Sequence, residues 1–497
     1  MKHERAAVPP ALDTPPALHA PPADDAIPAL SAAALRLVPW LVAVAFFMEA
    51  LDTTILNTAV PTIAAALAVP PLSMKAVLAS YTLSLAVFIP ISGWTANRFG
   101  TRRVFAAAIG TFTAGSFLCG LSSNIHLLVA FRVLQGLGGA MMLPVGRLTM
   151  VRSFPKSQLI RAMAFVAIPG LVGPMLGPVI GGIIIGYVHW SVIFFVNVPI
   201  GIVGLWMVYR HLPDFREEVH LPLDFVGFVL FGSGVALLSY VLEVFGDHAL
   251  SVREITGLLA IAAALLAAYA VNTSRTQHPL LRLGLLGIRT FRTSVLGSFL
   301  TRLGLGGMPF LLPLLYQIGF GYTPIESGLL IMPQAVAAMS LKLSMPRLLR
   351  AFGYRRVLIV NTLGIGGMIL LFCTLQITTP IWVLVPMLFL FGFLQSLQYT
   401  SMNTLAYSDI DEEQASYAST LASTMQQMSL SFAVAAASLA TEMFVPVGRS
   451  ANAQQMIHGL HLAFLLLGGW TILSTLTFTA LEERDGEAVS RHRVTRP

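Results

Sequence analysis

The chain has 497 residues, 56% of them hydrophobic and only 11% charged, with a formal net charge of +7. An ordinary soluble domain carries about a quarter charged residues, so a water-soluble globule is excluded and lipid must solvate much of the surface. Open β-strands are excluded as well, because the bilayer interior offers unpaired backbone groups no partners, and the expectation is an all-α polytopic membrane protein.

Residues 1–34 carry repeated prolines and no continuous apolar run, and read as a disordered cytoplasmic tail. Apolar runs of about 20 residues, the length a helix needs to cross the hydrocarbon layer, then follow fourteen times. They centre on 38–60, 76–96, 104–122, 127–148, 162–186, 190–209, 224–245, 254–272, 294–318, 327–346, 356–376, 380–404, 416–440 and 459–480. The first run contains FFMEALDTTILNTAVPTIA, which holds two carboxylates, Glu49 and Asp52. Three residues apart, they share a helix face near mid-membrane. Lipid exposure of that face would be costly, so it should line a cavity. Burial and a nearby cation act in opposite directions on a carboxyl's hold on its proton, a balance that suits proton exchange. Both acids are proton-coupling candidates.

The turn after the second run reads GWTANRFGTRR. Gly93 and Gly100 allow a tight reversal, and Arg98, Arg102 and Arg103 anchor it at the membrane surface. Asn97 adds hydrogen-bonding capacity without charge. Such a cationic turn can hold the negative C-terminal ends of helices and so gate a conformational change. The fourth run holds Arg132, with Gln135 one turn on. A guanidinium at that depth costs a few kcal/mol unless it faces the bundle interior and finds a partner; snorkelling to the outer surface is the alternative. In the fifth run Gly173, Gly177 and Gly181 recur along one face, with Gly182 beside them, which permits close helix approach. Pro174 and Pro178, together with Pro169, favour kinks. A helix both smooth and bendable suits a moving interface.

Further along, Arg302 and Lys342 are charges inside apolar runs. Tyr81, Gln135, Arg302, Gln398, Tyr399 and Asn403 are candidates for the wall of a substrate cavity combining apolar and hydrogen-bonding surface. Cys119 and Cys373 lie in separate runs and indicate no disulfide framework. His458 and His461 lack a convincing third ligand, so no metal site is expected.

RFGTRRVF at 98–105 recurs as AFGYRRVL at 351–358, eight runs later. A six-helix repeat with two inserted helices gives that spacing. The expected organisation is a six-helix half over 35–212, two inserted helices over 213–275, a second six-helix half over 276–481 and a cytoplasmic tail over 482–497. Of the 30 Lys and Arg, 24 fall on the connections that face inward when both termini are cytoplasmic, and only Lys75, Arg253 and Arg449 fall on outer ones. The basic charge is therefore topogenic and implies no nucleic-acid partner.

Four segments carry a resemblance that covers Pro39 to Leu481. LDTTILNTAVPTIA, GWTANRFGTRR, LLVAFRVLQGLGGA and GLVGPMLGPVIGG resemble, in order, the signature motifs of the major facilitator superfamily, and in particular of its fourteen-span drug:proton antiporters of the EmrB/QacA type, with MdtD-type multidrug transporters as the nearest likeness. The turn motif usually carries an acid where this chain has Asn97. The resemblance implies a secondary active transporter of the inner (plasma) membrane. It would export small hydrophobic or amphiphilic compounds by proton antiport with alternating access, the proton gradient supplying energy and no cofactor being needed. It also links Asp52 and Arg132 to proton transfer. A metabolite facilitator or proton symporter of the same fold is the alternative. A membrane-embedded enzyme is more remote, since the chain shows no phosphate-binding loop, zinc-binding His-Glu-x-x-His or nucleophile turn. The expected partners are a small-molecule substrate, protons and the bilayer, with a monomer as the working state.

Overall fold

In a computed structural model, the described residues are 32–154, 156–216, 222–244, 251–411, 414–444 and 453–487. They form helices α1 (Ala32–Ala66), α2 (Lys75–Phe99), α3 (Thr101–Gly120), α4 (Ile125–Ser153), α5 (Lys156–Tyr187), the short α6 (Val192–Phe195) and α7 (Asn197–His211). There follow α8 (Phe225–Val244), α9 (Val252–Arg275), α10 (Arg289–Leu305), α11 (Met308–Leu314), α12 (Pro324–Leu371), α13 (Ile381–Ala406), α14 (Ala415–Glu442) and α15 (Ala453–Ser474). No strand occurs among the described residues. Twelve stretches among them are long and apolar enough to cross a membrane. Helix α14, rich in Ser and Thr, lies outside that set, and α5 enters only as the shorter apolar stretch Val172–Tyr187. The expected N-terminal tail, apart from its last residues, and residues 488–497 of the C-terminal tail lie outside the described residues, as does the Lys342 side chain.

Local chemistry sets the helix ends. Asn124 accepts a hydrogen bond from the Leu127 amide at the start of α4, and capping boxes Ser251/Glu254 and Thr323/Glu326 open α9 and α12. Each satisfies amide donors that the helix itself cannot. The two copies of the repeated turn share a backbone signature: Gly100 (φ 94°) separates α2 from α3, and Gly353 (φ 70°) breaks α12 into two spans. Both need a left-handed conformation that side-chain-bearing residues rarely adopt.

Each turn is strapped down by the chain that follows the last helix of its own half. The Thr101 amide donates to the Phe215 carbonyl at 3.0 Å, the Phe215 amide to Thr101 Oγ1 at 3.1 Å, and the Arg102 amide to Asp214 at 3.2 Å. In the second half Arg356 approaches Glu483 at 3.8 Å, Gly486 lies against the Tyr354 ring, and Arg289 clamps Asp485 with two hydrogen bonds while also pairing with Glu482.

The apolar cores show how the halves join. At the end remote from these arginine turns one continuous cluster takes in Ile55, Leu56, Val60 and Val77 from the first half and Met308, Phe310, Leu311 and Ala437 from the second. At the arginine end the halves pack separately: one cluster holds Val42, Phe105 and Val145, another Leu358, Leu405 and Phe478. Helices α8 and α9 pack on the flank, where Phe231, Val235 and Tyr269 join Phe291, Met428 and Phe432 with Ala86 of α2.

Candidate functional site

Helix α5 places the first half's acids. A Cβ at Gly173 would lie 2.7 Å from that of Ala50, one at Gly181 2.7 Å from the Ile55 carbonyl, and one at Gly177 would collide with Thr54. The glycine face therefore seats α1, the helix that carries Glu49 and Asp52. On the adjoining face a Cβ at Gly182 would lie 2.5 Å from the Pro324 carbonyl of α12, and the Pro178 carbonyl lies against Gly328 of the same helix. One helix thus backs the acids and touches the other half.

With α1 fixed, Asp52 turns into the interior of the first half, 1% exposed. Arg132 of α4, also 1% exposed, turns inward instead of snorkelling to the surface. It donates from Nη1 to Asp52 Oδ2 at 2.6 Å and to Gln135 Oε1 at 2.8 Å. Asp52 Oδ1 accepts from Gln135 Nε2 at 2.8 Å and from Asn197 Nδ2 at 3.1 Å. Ser116 Oγ closes the group, accepting from Gln135 at 2.7 Å and from Asn197 at 3.2 Å. The Arg132 guanidinium lies 4.2 Å from the centre of the Tyr81 ring. Helices α1, α3, α4 and α7 thus meet around a buried carboxylate held by an ion pair and two amide donors, the kind of satisfaction a charge in low dielectric requires.

Beside this network lies a cavity of about 370 Å³ between the halves. Phe46, Glu49, Asn57, Tyr81 and Arg132 form its first-half wall, and Pro309, Phe310 and Gln427 face them from the second. Glu49 is buried, and its Oε2 has no hydrogen-bond partner among the described residues. An adjoining cavity of about 180 Å³ shares Thr54, Asn57 and Pro309 and adds Pro174, Pro178, Gln334 and Gln395.

The structure brings together Glu49, Asp52, Arg132, Gln135 and Tyr81. Gln135 is fully buried inside the network, however, and does not stand on the described cavity wall. Gln398 departs from expectation in the same way: its amide donates to Thr362 Oγ1 at 2.8 Å and its carbonyl accepts from Asn361 at 2.8 Å. Asn403 is exposed. Arg302 and Tyr399 meet each other in the second half, with the guanidinium 3.6 Å from the ring centre. At the first turn Asn97 accepts from Arg152 Nη2 at 3.0 Å, Gly93 and Arg98 border a separate cavity, and Arg103 is exposed. Ser116 and Asn197 were not legible as site residues. Their one sequence signal is that each is a polar residue inside an otherwise apolar run.

At the remote end Lys75 Nζ and Glu442 Oε1 form a buried ion pair at 2.9 Å between α2 and α14, and Ser438 Oγ donates to the same carboxylate at 3.0 Å.

Residues 42–436 match the family model described as Major Facilitator Superfamily. The chain is 40% identical over 405 residues to "Putative multidrug resistance protein MdtD" of Salmonella heidelberg (strain SL476), covering 82% of this chain and 86% of the relative. It is 41% identical, with the same coverage, to the protein of that name from Escherichia coli O157:H7 (strain EC4115 / EHEC). Among solved structures, the peptide transporter POT in complex with sulfate aligns with a TM-score of 0.65 at 14% identity, over 91% of this chain and 95% of that one.

Proposed function

This chain belongs to the Major Facilitator Superfamily, and from that premise we propose that it is a secondary active transporter exporting small hydrophobic or amphiphilic compounds by proton antiport. The observation that carries the reading is the Asp52–Arg132 pair set beside a cavity between two halves. A carboxylate there can exchange its arginine partner for a proton, and the cavity wall that shares Arg132 would feel the change. Motion of α1 against α5 would pass that change to α12. Glu49, on the wall itself, is the second acid for the same task. The relatives' printed name, a multidrug resistance protein, supports a drug-like substrate. No cofactor is required, since the proton gradient supplies the energy.

In this reading α5 and α14 join the twelve apolar stretches as crossings, giving fourteen: two six-helix halves, 35–212 and 276–481, with α8 and α9 inserted between them. The arginine end faces the cytoplasm by the distribution of basic residues, with both termini on that side of the plasma membrane, and the working unit is a monomer. The shared core at the remote end, with Lys75–Glu442, then seals the outside, and the separately packed ends face inward.

The test is proton and substrate flux measured in the same proteoliposomes under an imposed pH gradient, using hydrophobic compounds of both charges. Because Asp52→Asn alone leaves Arg132 buried without its acid, it is compared with Asp52→Asn/Arg132→Gln, which removes both charges. Substrate-driven proton movement is expected in wild type and absent in both variants. Intact coupling in the folded double variant overturns the assignment to Asp52.

A further inference from the structure

Arg302, in the last turn of α10, is buried, 3% exposed. Its Nε donates to Ser298 Oγ at 3.0 Å and its guanidinium covers the half-buried Tyr399 ring of α13. Among the described residues no carboxylate pairs with it. The C-terminal end of α10 faces it with only about half a negative charge. A buried guanidinium cannot escape this situation by losing its proton, because it stays charged at any pH a protein meets. Glu49, whose buried Oε2 has no hydrogen-bond partner among the described residues, can become neutral simply by binding a proton. Of the two, Arg302 is the one whose charge has to be answered from outside the chain.

Its position makes that possible. Gly306, one turn along α10 from Arg302, lines the 370 Å³ cavity, and Gln395, one turn along α13 from Tyr399, lines the adjoining 180 Å³ cavity. Arg302 and Tyr399 therefore sit one helical turn below both cavity walls, on the side of the arginine turns. Neither residue is among the described lining residues themselves, and the wall of the larger cavity is largely apolar, with Phe46, Phe310, Leu430 and Val434.

We infer that Arg302 is an anion subsite and that the transported compounds are hydrophobic organic anions, a carboxylate or sulfonate head meeting the guanidinium while an apolar body fills the cavity between the halves. The Tyr399 ring, its centre 3.6 Å from the guanidinium, holds Arg302 in place, and the Nη donors of Arg302 are to make a two-point contact with the head group. The inference rests on the transport reading and names its substrate class.

Two compounds with one ring system and opposite charge provide the test: 2-naphthoate and 2-naphthylmethylammonium, each measured by equilibrium dialysis against the full-length protein in lipid nanodiscs. Wild type is expected to hold the naphthoate at least about tenfold tighter than the ammonium, the size of one charge-assisted contact. Arg302→Met should erase that preference by weakening naphthoate alone, and Arg302→Lys, which keeps the charge but not the fork, should retain part of it. Equal naphthoate affinity in wild type and in an Arg302→Met protein of unchanged chromatographic behaviour overturns the inference, as does a wild-type preference for the ammonium. Dialysis is run with no proton gradient, so loss of the anion subsite is read there and loss of proton coupling is read separately in the flux assay.

Discussion

Each half of the protein buries an arginine against a tyrosine ring, yet the two sites are built on opposite terms. Arg132 over Tyr81 has its acid at 2.6 Å, Gln135 and Asn197 donate to that acid, and Ser116 accepts from both amides. Arg302 over Tyr399 has neutral partners, the ring and the Ser298 hydroxyl, and no acid among the described residues. The first arrangement answers its buried charge within the chain. The second is incomplete as a free-standing piece of protein, which is what a site awaiting a charged ligand looks like. In the reading proposed above the same residue pair serves a proton in one half and a substrate in the other, and what separates them is whether a neighbouring helix supplies a carboxylate.

The contrast is most exposed to attack at Arg132. Arg132→Met leaves Asp52 as a buried carboxylate without its cation, and breaking a buried pair from one side costs about 3–5 kcal/mol. Thermal unfolding in detergent should show a larger loss than at Gly177, Asn197 or Arg302, with most of it recovered in Arg132→Met/Asp52→Leu. A loss in the double variant as large as in the single would mean that the network, and not the charge balance, holds the helices.

Next in size comes the contact that presents Asp52. Gly177→Leu pushes α1 away through Thr54 and should cost about 1–3 kcal/mol as an overpacked interior. Ile183→Leu on the exposed face of the same helix should stay within about 0.5 kcal/mol. Equal unfolding midpoints and equal transport in the two would remove α5 as the support of the paired site.

Asn197→Ala withdraws one of the two amide donors to Asp52 and should cost about 1–2 kcal/mol, and it should also slow proton release. Gly201→Ala, one turn along α7, supplies the control: its added methyl would collide with Thr113 of α3 and loosen the same helix pair while leaving the donors to Asp52 in place. Vesicle proton flux per folded protein should fall in Asn197→Ala and hold in Gly201→Ala. An equal fall in both would assign Asn197 to packing alone.

The smallest effect on stability is expected at Arg302, and it decides the comparison. Arg302→Met removes a charge that has no acid to strand, so stability should be unchanged or raised by about 1 kcal/mol. A drop of the size expected for Arg132→Met would show that Arg302 has an internal counter-charge after all and would erase the distinction between the halves.

Much of the architecture is written in the order of residues. Apolar run lengths set the helices, the distribution of arginines set which turns share an end, and the repeated Phe-Gly-x-Arg-Arg-Val marked two equivalent turns, whose glycines both take a positive φ. The residue types also marked Glu49, Asp52 and Arg132, because a charge in an apolar run is costly wherever the helix ends up. Pairing was a different matter. Helical period tells that Glu49 and Asp52 lie on related faces of α1, but a few tens of degrees of helix rotation decide that Asp52 enters the network while Glu49 stands on the cavity wall. That rotation comes from the seating of α1 on Gly173, Gly177 and Gly181, a contact between residues more than a hundred positions apart. Ser116 and Asn197 became site residues, and Gln135 and Gln398 were turned away from the cavity, for the same reason: a side chain's partners across helices depend on depth and rotation, which only the packing of whole helices against one another fixes. The sequence by itself determined where charge is buried; the tertiary structure decided which buried charge is answered within the chain, at Arg132, and which is left open, at Arg302.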